Sequence, residues 1–227
     1  MFIVGHSHMN CIIDAAQMQG APVGGVNLWV FDTPIIRTGP EPILNPALAE
    51  RMQPVTISAV GGGEHHVLCL NLHPLHFDFV LPQAPQLPLT PGARLIPYDQ
   101  IRATLLETSL ESVETLRCLA NAAPGRLIHL APPPVRRDEQ PIDHPLWRSR
   151  VGAETAISPA HLRLKFSIAY TGMLKELCAE LGVRLAPPPP DVVDPDGYLL
   201  PEFGGNPCHG NTLYGARVLD QLATMIG

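Results

Sequence analysis

Apolar residues fall in two rhythms along the chain. Short continuous runs, such as Phe2-Ile3-Val4, Val26 to Phe31, Val55 to Val60, Arg126 to Ala131 and Val183 to Ala186, read as buried strands. Between them lie longer stretches with apolar residues three and four apart, which read as amphipathic helices. Ile12, Ile13, Ala16 and Met18 predict a helix ending at Gly20. Leu106, Leu110, Val113, Leu116 and Ala120 predict one helix over about 99–122, stopped by Pro124-Gly125. Ser158 reads as an N-cap with Pro159 in the first helical position. That helix buries Ile168, Met173, Leu174 and Leu177 and ends at Gly182. A last helix is expected from about Thr212 to Met225. Val67 to Leu72 reads as a further short strand, residues 73–97 as a long surface loop, and Phe77-Asp78-Phe79 as either a substrate wall or a loop tucked onto the core.

Continuous apolar strands alternating with helices predict an α/β protein whose parallel sheet is covered on both faces. With 227 residues, no internal repeat and no linker, a single domain over 1–227 is expected. Ligands in such sheets bind outside the carboxyl ends of the strands. The residues just after each strand are therefore the ones to read for chemistry.

Composition narrows the class. Charged residues make up only 16% and the hydrophobic share is 45%, which argues against disorder. A net charge of −6 with no basic stripe argues against a nucleic-acid partner. No apolar run reaches the roughly 18 residues that span a bilayer, so no membrane partner is expected. The N-terminus shows no basic segment of the signal-peptide kind, and five cysteines without a CxxC pair fit reduced thiols; a cytoplasmic protein is expected. Proline is the unusual component, at 26 of 227. That is about twice the usual share of ~5%. The prolines cluster directly after strands, at 132–134 and 187–190, and in the stretches 34–54 and 74–97, where a fixed φ suits a stiff rim around a cleft.

Three segments at one predicted sheet edge carry reactive side chains: Gly5-His6-Ser7-His8, Gly61-Gly62-Gly63-Glu64-His65-His66, and Asn206-Pro207-Cys208-His209-Gly210-Asn211. A serine at a strand-to-helix turn has helix-start amides beside it to stabilise an oxyanion. A histidine next to it converts a weak hydroxyl nucleophile into a useful one. Two other readings compete. His6, His8, His65, His66, His73 and His76 suggest a histidine-bound metallohydrolase, although adjacent residues of an extended segment point to opposite sides and no HExxH spacing occurs. Cys208 beside His209 suggests a cysteine nucleophile.

The Gly5-His6-Ser7-His8 segment resembles the first block of the SGNH (GDSL-type) hydrolases, which usually read Gly-Asp-Ser. Val60 to Glu64 sits where those proteins carry Gly-x-Asn-Asp, and Asn206-x-x-His209 where they carry Asp-x-x-His. His209-x-Asn211 with Gly215 matches the usual continuation into the last helix. The resemblance implies a three-layer, flavodoxin-like α/β/α sandwich with a central parallel sheet, and an esterase, lipase or acyl-transfer activity on a small-molecule ester without a cofactor. It implies Ser7 as nucleophile, His209 as base and Asn206 as the group orienting His209. The oxyanion hole it implies uses the amides of Ser7 and Gly39, with Gly63 or His65 in place of the missing asparagine. Asn206 stands where the family has an acid, so Asp194, Asp196 and Glu202 are candidates to supply one. The same two departures motivate the alternative of a catalytically weak SGNH-like protein that binds a ligand or partner.

Overall fold

The first strand, β1 (Phe2–Gly5), is apolar on both of its faces because both are covered. Ile3 points into one hydrophobic layer and Val4 into another. The same double burial recurs in β5 (Thr56–Ala59) and β8 (Ile128–Leu130). With β2 (Gly24–Asn27) and β9 (Arg184–Ala186) they form a parallel sheet in the order β2-β1-β5-β8-β9. This is the flavodoxin-like order, in which the chain leaves β1 to one side and returns to the other. A computed structural model describes residues 1–31, 33–52, 56–60, 77–89, 91–138, 158–205 and 208–227, with Trp29, Phe77 and Asp78 described by their backbone alone.

Helices cover the sheet on both sides. Helix α1 (Asn10–Gln19) and helix α6 (Thr212–Ile226) pack side by side on one face, through Ile12, Ala15 and Ala16 from α1 and Tyr214, Val218 and Leu222 from α6. The opposite face is covered by α4 (Leu110–Ala122) and α5 (Ala160–Glu180). The short α2 (Pro46–Ala49) adds Leu48 to that layer, and α3 (Tyr98–Thr108) packs with α5. The molecule is thus a three-layer α/β/α sandwich around a parallel sheet.

Several local expectations are corrected. The run from Val26 to Phe31 is not one strand: β2 stops at Asn27 and Leu28–Val30 turn into a 3-10 helix. The stretch read as irregular holds a small antiparallel hairpin, β3 (Ile35–Ile36) and β4 (Ile43–Leu44), tied to α4 by Arg37 with Glu114 and by Cys118 donating to the Pro42 carbonyl at 3.3 Å. The helix predicted over 99–122 breaks at Ser109 into α3 and α4, which leaves Leu110 49% exposed. Pro159 stands in the N-cap place that Ser158 was expected to hold, and α5 begins one residue late at Ala160. Residues 77–89 do not form a surface loop alone. Phe77–Asp78 (β6) pair with Arg94–Leu95 (β7), and Phe79, Leu81 and Ala84 are buried against α3 and α5. Phe79 meets Phe166 edge-on at 5.4 Å, so it belongs to the core and is no substrate wall. This cover also explains the buried Lys165, whose Nζ donates to the Pro88 carbonyl at 2.7 Å. The expected strand at 67–72 lies outside the described residues.

One polar pair lies inside the sheet. Ser58 and His129 are register partners on β5 and β8, both fully buried, with His129 Nδ1 3.3 Å from Ser58 Oγ. Ser58 Oγ already accepts from the Val60 amide at 3.2 Å, so its hydroxyl proton is available to Nδ1. Burial drives the His129 imidazole down to about 4, opposed more weakly by a hydrogen bond from the ring to the Ser58 backbone. The unfolded chain takes up a proton near 6.5, whereas the native state does not until about 4. Stability from this group is therefore complete above pH 6.5 and is lost as pH falls from 6.5 towards 4. Urea unfolding at pH 7 and pH 5 is expected to differ by about 2 kcal/mol, and the difference should shrink markedly in His129→Leu.

Candidate active site

Strand β1 ends at Gly5, His6 takes the N-cap position, and the chain turns at once into a helical turn at Ser7–Met9 that runs on into α1. Ser7 therefore sits at the carboxyl edge of the sheet with its amide at the positive end of a helix. The register pairs Gly5 with Asn27 on one side and with Ala59 on the other. The segments flanking the Ser7 turn are accordingly 27–28 and 59–60.

His209 arrives from the far end of the sequence on a small closed loop. Gly204 and Gly210 form an antiparallel bridge, the Gly205 amide donates to the His209 carbonyl at 2.8 Å, and the Asn211 amide donates to the Phe203 carbonyl at 2.9 Å. Asn211 then caps α6. Its Oδ1 accepts from the amides of Leu213 and Tyr214, at 3.0 and 3.1 Å, while its Nδ2 donates to the carbonyls of Glu202 and Gly204. One side chain thus fixes both the start of the helix and the loop before it. Arg136 reaches the Gly205 carbonyl from outside, at 3.5 Å.

These two constructions meet. His209 Nε2 lies 2.7 Å from Ser7 Oγ, across 202 residues of sequence. The meeting depends on how closely α1 and α6 approach. A Cβ placed on Gly215 would stand 2.0 Å from the Cys11 carbonyl oxygen, so the helices touch backbone to backbone just beyond the two side chains. On the other ring nitrogen, Nδ1 lies 3.1 Å from Cys208 Sγ. The ring of His8, itself buried, lies 4.5 Å from the His209 ring at a tilt of 41°.

Beside Ser7 and His209 opens a groove of about 230 Å³ between α1 and α6, lined by Asn10, Cys11, Asp14, Gly210 and Thr212 among others. Its lining is mostly polar. The Cys11 thiol is pushed up to about 12 by burial, with Asp14 adding to the effect, so it stays a neutral wall. Behind His8 a second cavity, of about 20 Å³, is closed by Pro132, Pro133 and Pro187. The proline rim at the ends of β8 and β9 therefore forms the wall behind His8.

Other expected residues fall elsewhere. Gly39 lies exposed in the loop of the β3–β4 hairpin, with nothing within 4 Å of where a side chain would begin. The hairpin that carries it is tied to α4 through Arg37 and the Pro42 carbonyl. Asp194 and Asp196 commit their carboxylates to Arg137, at 2.7 and 2.8 Å, and the Arg137 guanidinium lies 4.2 Å over the Tyr198 ring. Glu202 is exposed, and its carbonyl serves Asn211. Asn206, Gly63, His65, His66, His73 and His76 lie outside the described residues. Among the described residues, no three histidine, cysteine or acidic side chains converge as a metal-binding group. None of the described helices is long and apolar enough to cross a membrane.

No protein-family model matches the sequence, and no curated protein is significantly similar to it. Similarity appears among solved structures. An acetyl xylan esterase is 10% identical, covers 100% of both chains and superposes with a TM-score of 0.50. An acylhydrolase from Bacteroides fragilis is 10% identical over 99% of this chain and 85% of its own, with a TM-score of 0.49. A GDSL-like lipase from Bacteroides thetaiotaomicron is 11% identical over 99% and 85%, with a TM-score of 0.42. At this level of identity the likeness speaks to the fold alone: the chain shares the three-layer α/β/α fold of the acetyl xylan esterase.

Proposed function

We propose that this chain, built on the GDSL-hydrolase fold, is a serine esterase that works through a covalent acyl-enzyme. The observation that carries the reading is the 2.7 Å contact between Ser7 Oγ and His209 Nε2 at the carboxyl edge of the sheet. Contact at this distance lets the hydroxyl proton pass to the imidazole as Oγ attacks an ester carbonyl. The new C–O bond makes a tetrahedral intermediate whose oxyanion is held by the Ser7 amide, with further donors from the strand edges flanking the Ser7 turn. Gly63 and His65 remain assigned to that role by their place in the sequence. On collapse, the proton on Nε2 goes to the departing alcohol. A water then repeats the sequence: its proton goes to Nε2, its oxygen attacks the acyl carbon, and Ser7 recovers its hydroxyl as the acid leaves. The polar groove along Asn10, Asp14 and Thr212 favours a substrate with a polar portion beside the reacting ester.

Cys208 does not fit the nucleophile's place. The residue is buried, at 7% exposed, and its sulfur lies on the ring nitrogen turned away from Ser7, whereas Ser7 lines the groove. A fluorophosphonate probe is expected to label the protein once per chain, with the adduct mapped by mass spectrometry to the Ser7 peptide and abolished in His209→Ala. Failure of the folded wild-type protein to label would favour the ligand-binding alternative.

A further inference from the structure

We propose that Cys208 is a positioning residue that holds the His209 ring in its productive tautomer through Nδ1; the inference rests on the serine-esterase reading above. The imidazole is bridged between two side chains, Ser7 Oγ at 2.7 Å from Nε2 and Cys208 Sγ at 3.1 Å from Nδ1. A neutral imidazole carries one proton. If Nε2 is to accept the serine proton, the ring proton has to be on Nδ1, facing the sulfur. A thiol sulfur is a weak acceptor and a thiolate a stronger one, so Sγ receives the Nδ1–H bond in either form. The opposite arrangement, with S–H donating to Nδ1, places the ring proton on Nε2 and blocks proton uptake from Ser7.

The surroundings favour a fixed geometry. Cys208 is buried, so its sulfur competes little with water for the Nδ1 proton. The backbone of the next residue is held by the Gly205 amide on the His209 carbonyl, so the sulfur and the ring attach to one rigid turn. The His8 ring, at 4.5 Å and tilted 41°, limits rotation of the imidazole on that side. Sequence reading assigns the orienting role to Asn206, three residues before the histidine. The structure puts the immediate neighbour, Cys208, on the relevant nitrogen, and Asn206 lies outside the described residues.

The consequence is a moderate effect on turnover. A carboxylate orienter contributes about 10⁴-fold through tautomer and charge. Sulfur supplies tautomer control with little charge, so Cys208→Ala is expected to lower kcat by roughly 10- to 100-fold. The test measures kcat and KM on p-nitrophenyl acetate, and the rate of fluorophosphonate labelling, in wild type, Cys208→Ala, Cys208→Ser, Asn206→Ala and Ser7→Ala. The expected result is a parallel loss of kcat and labelling rate in Cys208→Ala, with KM within about twofold. Cys208→Ser, whose hydroxyl can accept from Nδ1–H, should recover most of the rate. The inference is overturned if Cys208→Ala turns over and labels like wild type while Ser7→Ala is inactive. It also falls if the loss belongs to Asn206→Ala alone, or if both Cys208 variants lose activity together with raised KM and lowered melting temperature. Undiminished activity in Ser7→Ala would instead sink the serine-esterase reading itself, so the two failures are told apart.

Discussion

Replacing Ser7 with alanine is expected to reduce ester hydrolysis by roughly 10³-fold or more while leaving the fold intact. Removing Oγ removes the atom that forms the acyl bond, so the covalent route closes altogether. What remains is attack by water, helped only by substrate binding and the oxyanion donors. The variant should fold normally, because Ser7 is half-buried at an edge and its N-cap neighbour His6 supports the turn through backbone geometry and not through the serine hydroxyl. The measurement is steady-state and burst-phase hydrolysis of p-nitrophenyl acetate. Wild type should show a burst of p-nitrophenol if deacylation is the slower step, and Ser7→Ala should show none. Equal steady-state rates in the two proteins would end the serine mechanism.

The second large effect concerns stability. Gly215→Ala would normally favour a helix by about 1 kcal/mol. Here the added methyl would stand 2.0 Å from the Cys11 oxygen, 2.5 Å from the Cys11 carbonyl carbon and 2.9 Å from the Ile12 amide nitrogen. All three are backbone atoms, and no side-chain rotation can relieve the overlap. Helices α1 and α6 must move apart, and they share the largest helix-on-helix part of one core layer. A net loss of about 3 kcal/mol or more is expected, since overpacking against backbone exceeds the propensity gain. At roughly 2–4 °C per kcal/mol for a chain of this size, the melting temperature should fall by about 10 °C. Gly39→Ala, with open space around it, is the control and should change little. Activity should fall more than the folded fraction does, because a 1 Å shift between the helices that follow Ser7 and His209 can cost about 10²-fold in rate. A Gly215→Ala protein with wild-type melting and turnover would show that this contact is not what seats the histidine.

The sheet and the two ends of the site were legible because they depend on short-range signals. Ile3 and Val4 face opposite layers, so β1 reads as a continuous apolar run, and the residue after such a run sits at the ligand edge of the sheet. Asn211 followed by an apolar period announces a capped helix, which places His209 just before it. The errors have equally specific causes. Leu28 and Val30 continue an apolar run, and such a run cannot distinguish a strand from a buried helical turn. Ser109 breaks a helix without disturbing the spacing of Leu106, Val113 and Leu116, so the stripe looked unbroken. The Cys208 contact turns on ring orientation, which adjacency to His209 hints at and no spacing rule encodes.

The contact between Ser7 and His209 also bears on the order in which the molecule acquires its properties. The two side chains are separated by 202 residues, and closing a loop of that length carries an entropic cost of about 5 kcal/mol. Helices α3 and α4, adjacent in sequence, can form and meet long before such a cost is recovered. Docking of α6 against α1 requires the most distant parts of the described chain to find each other, and only that event brings Ser7 against His209. On the proposed function, catalytic competence is therefore a late-acquired trait of this fold: secondary structure can be largely in place while the chain is still unable to act on an ester.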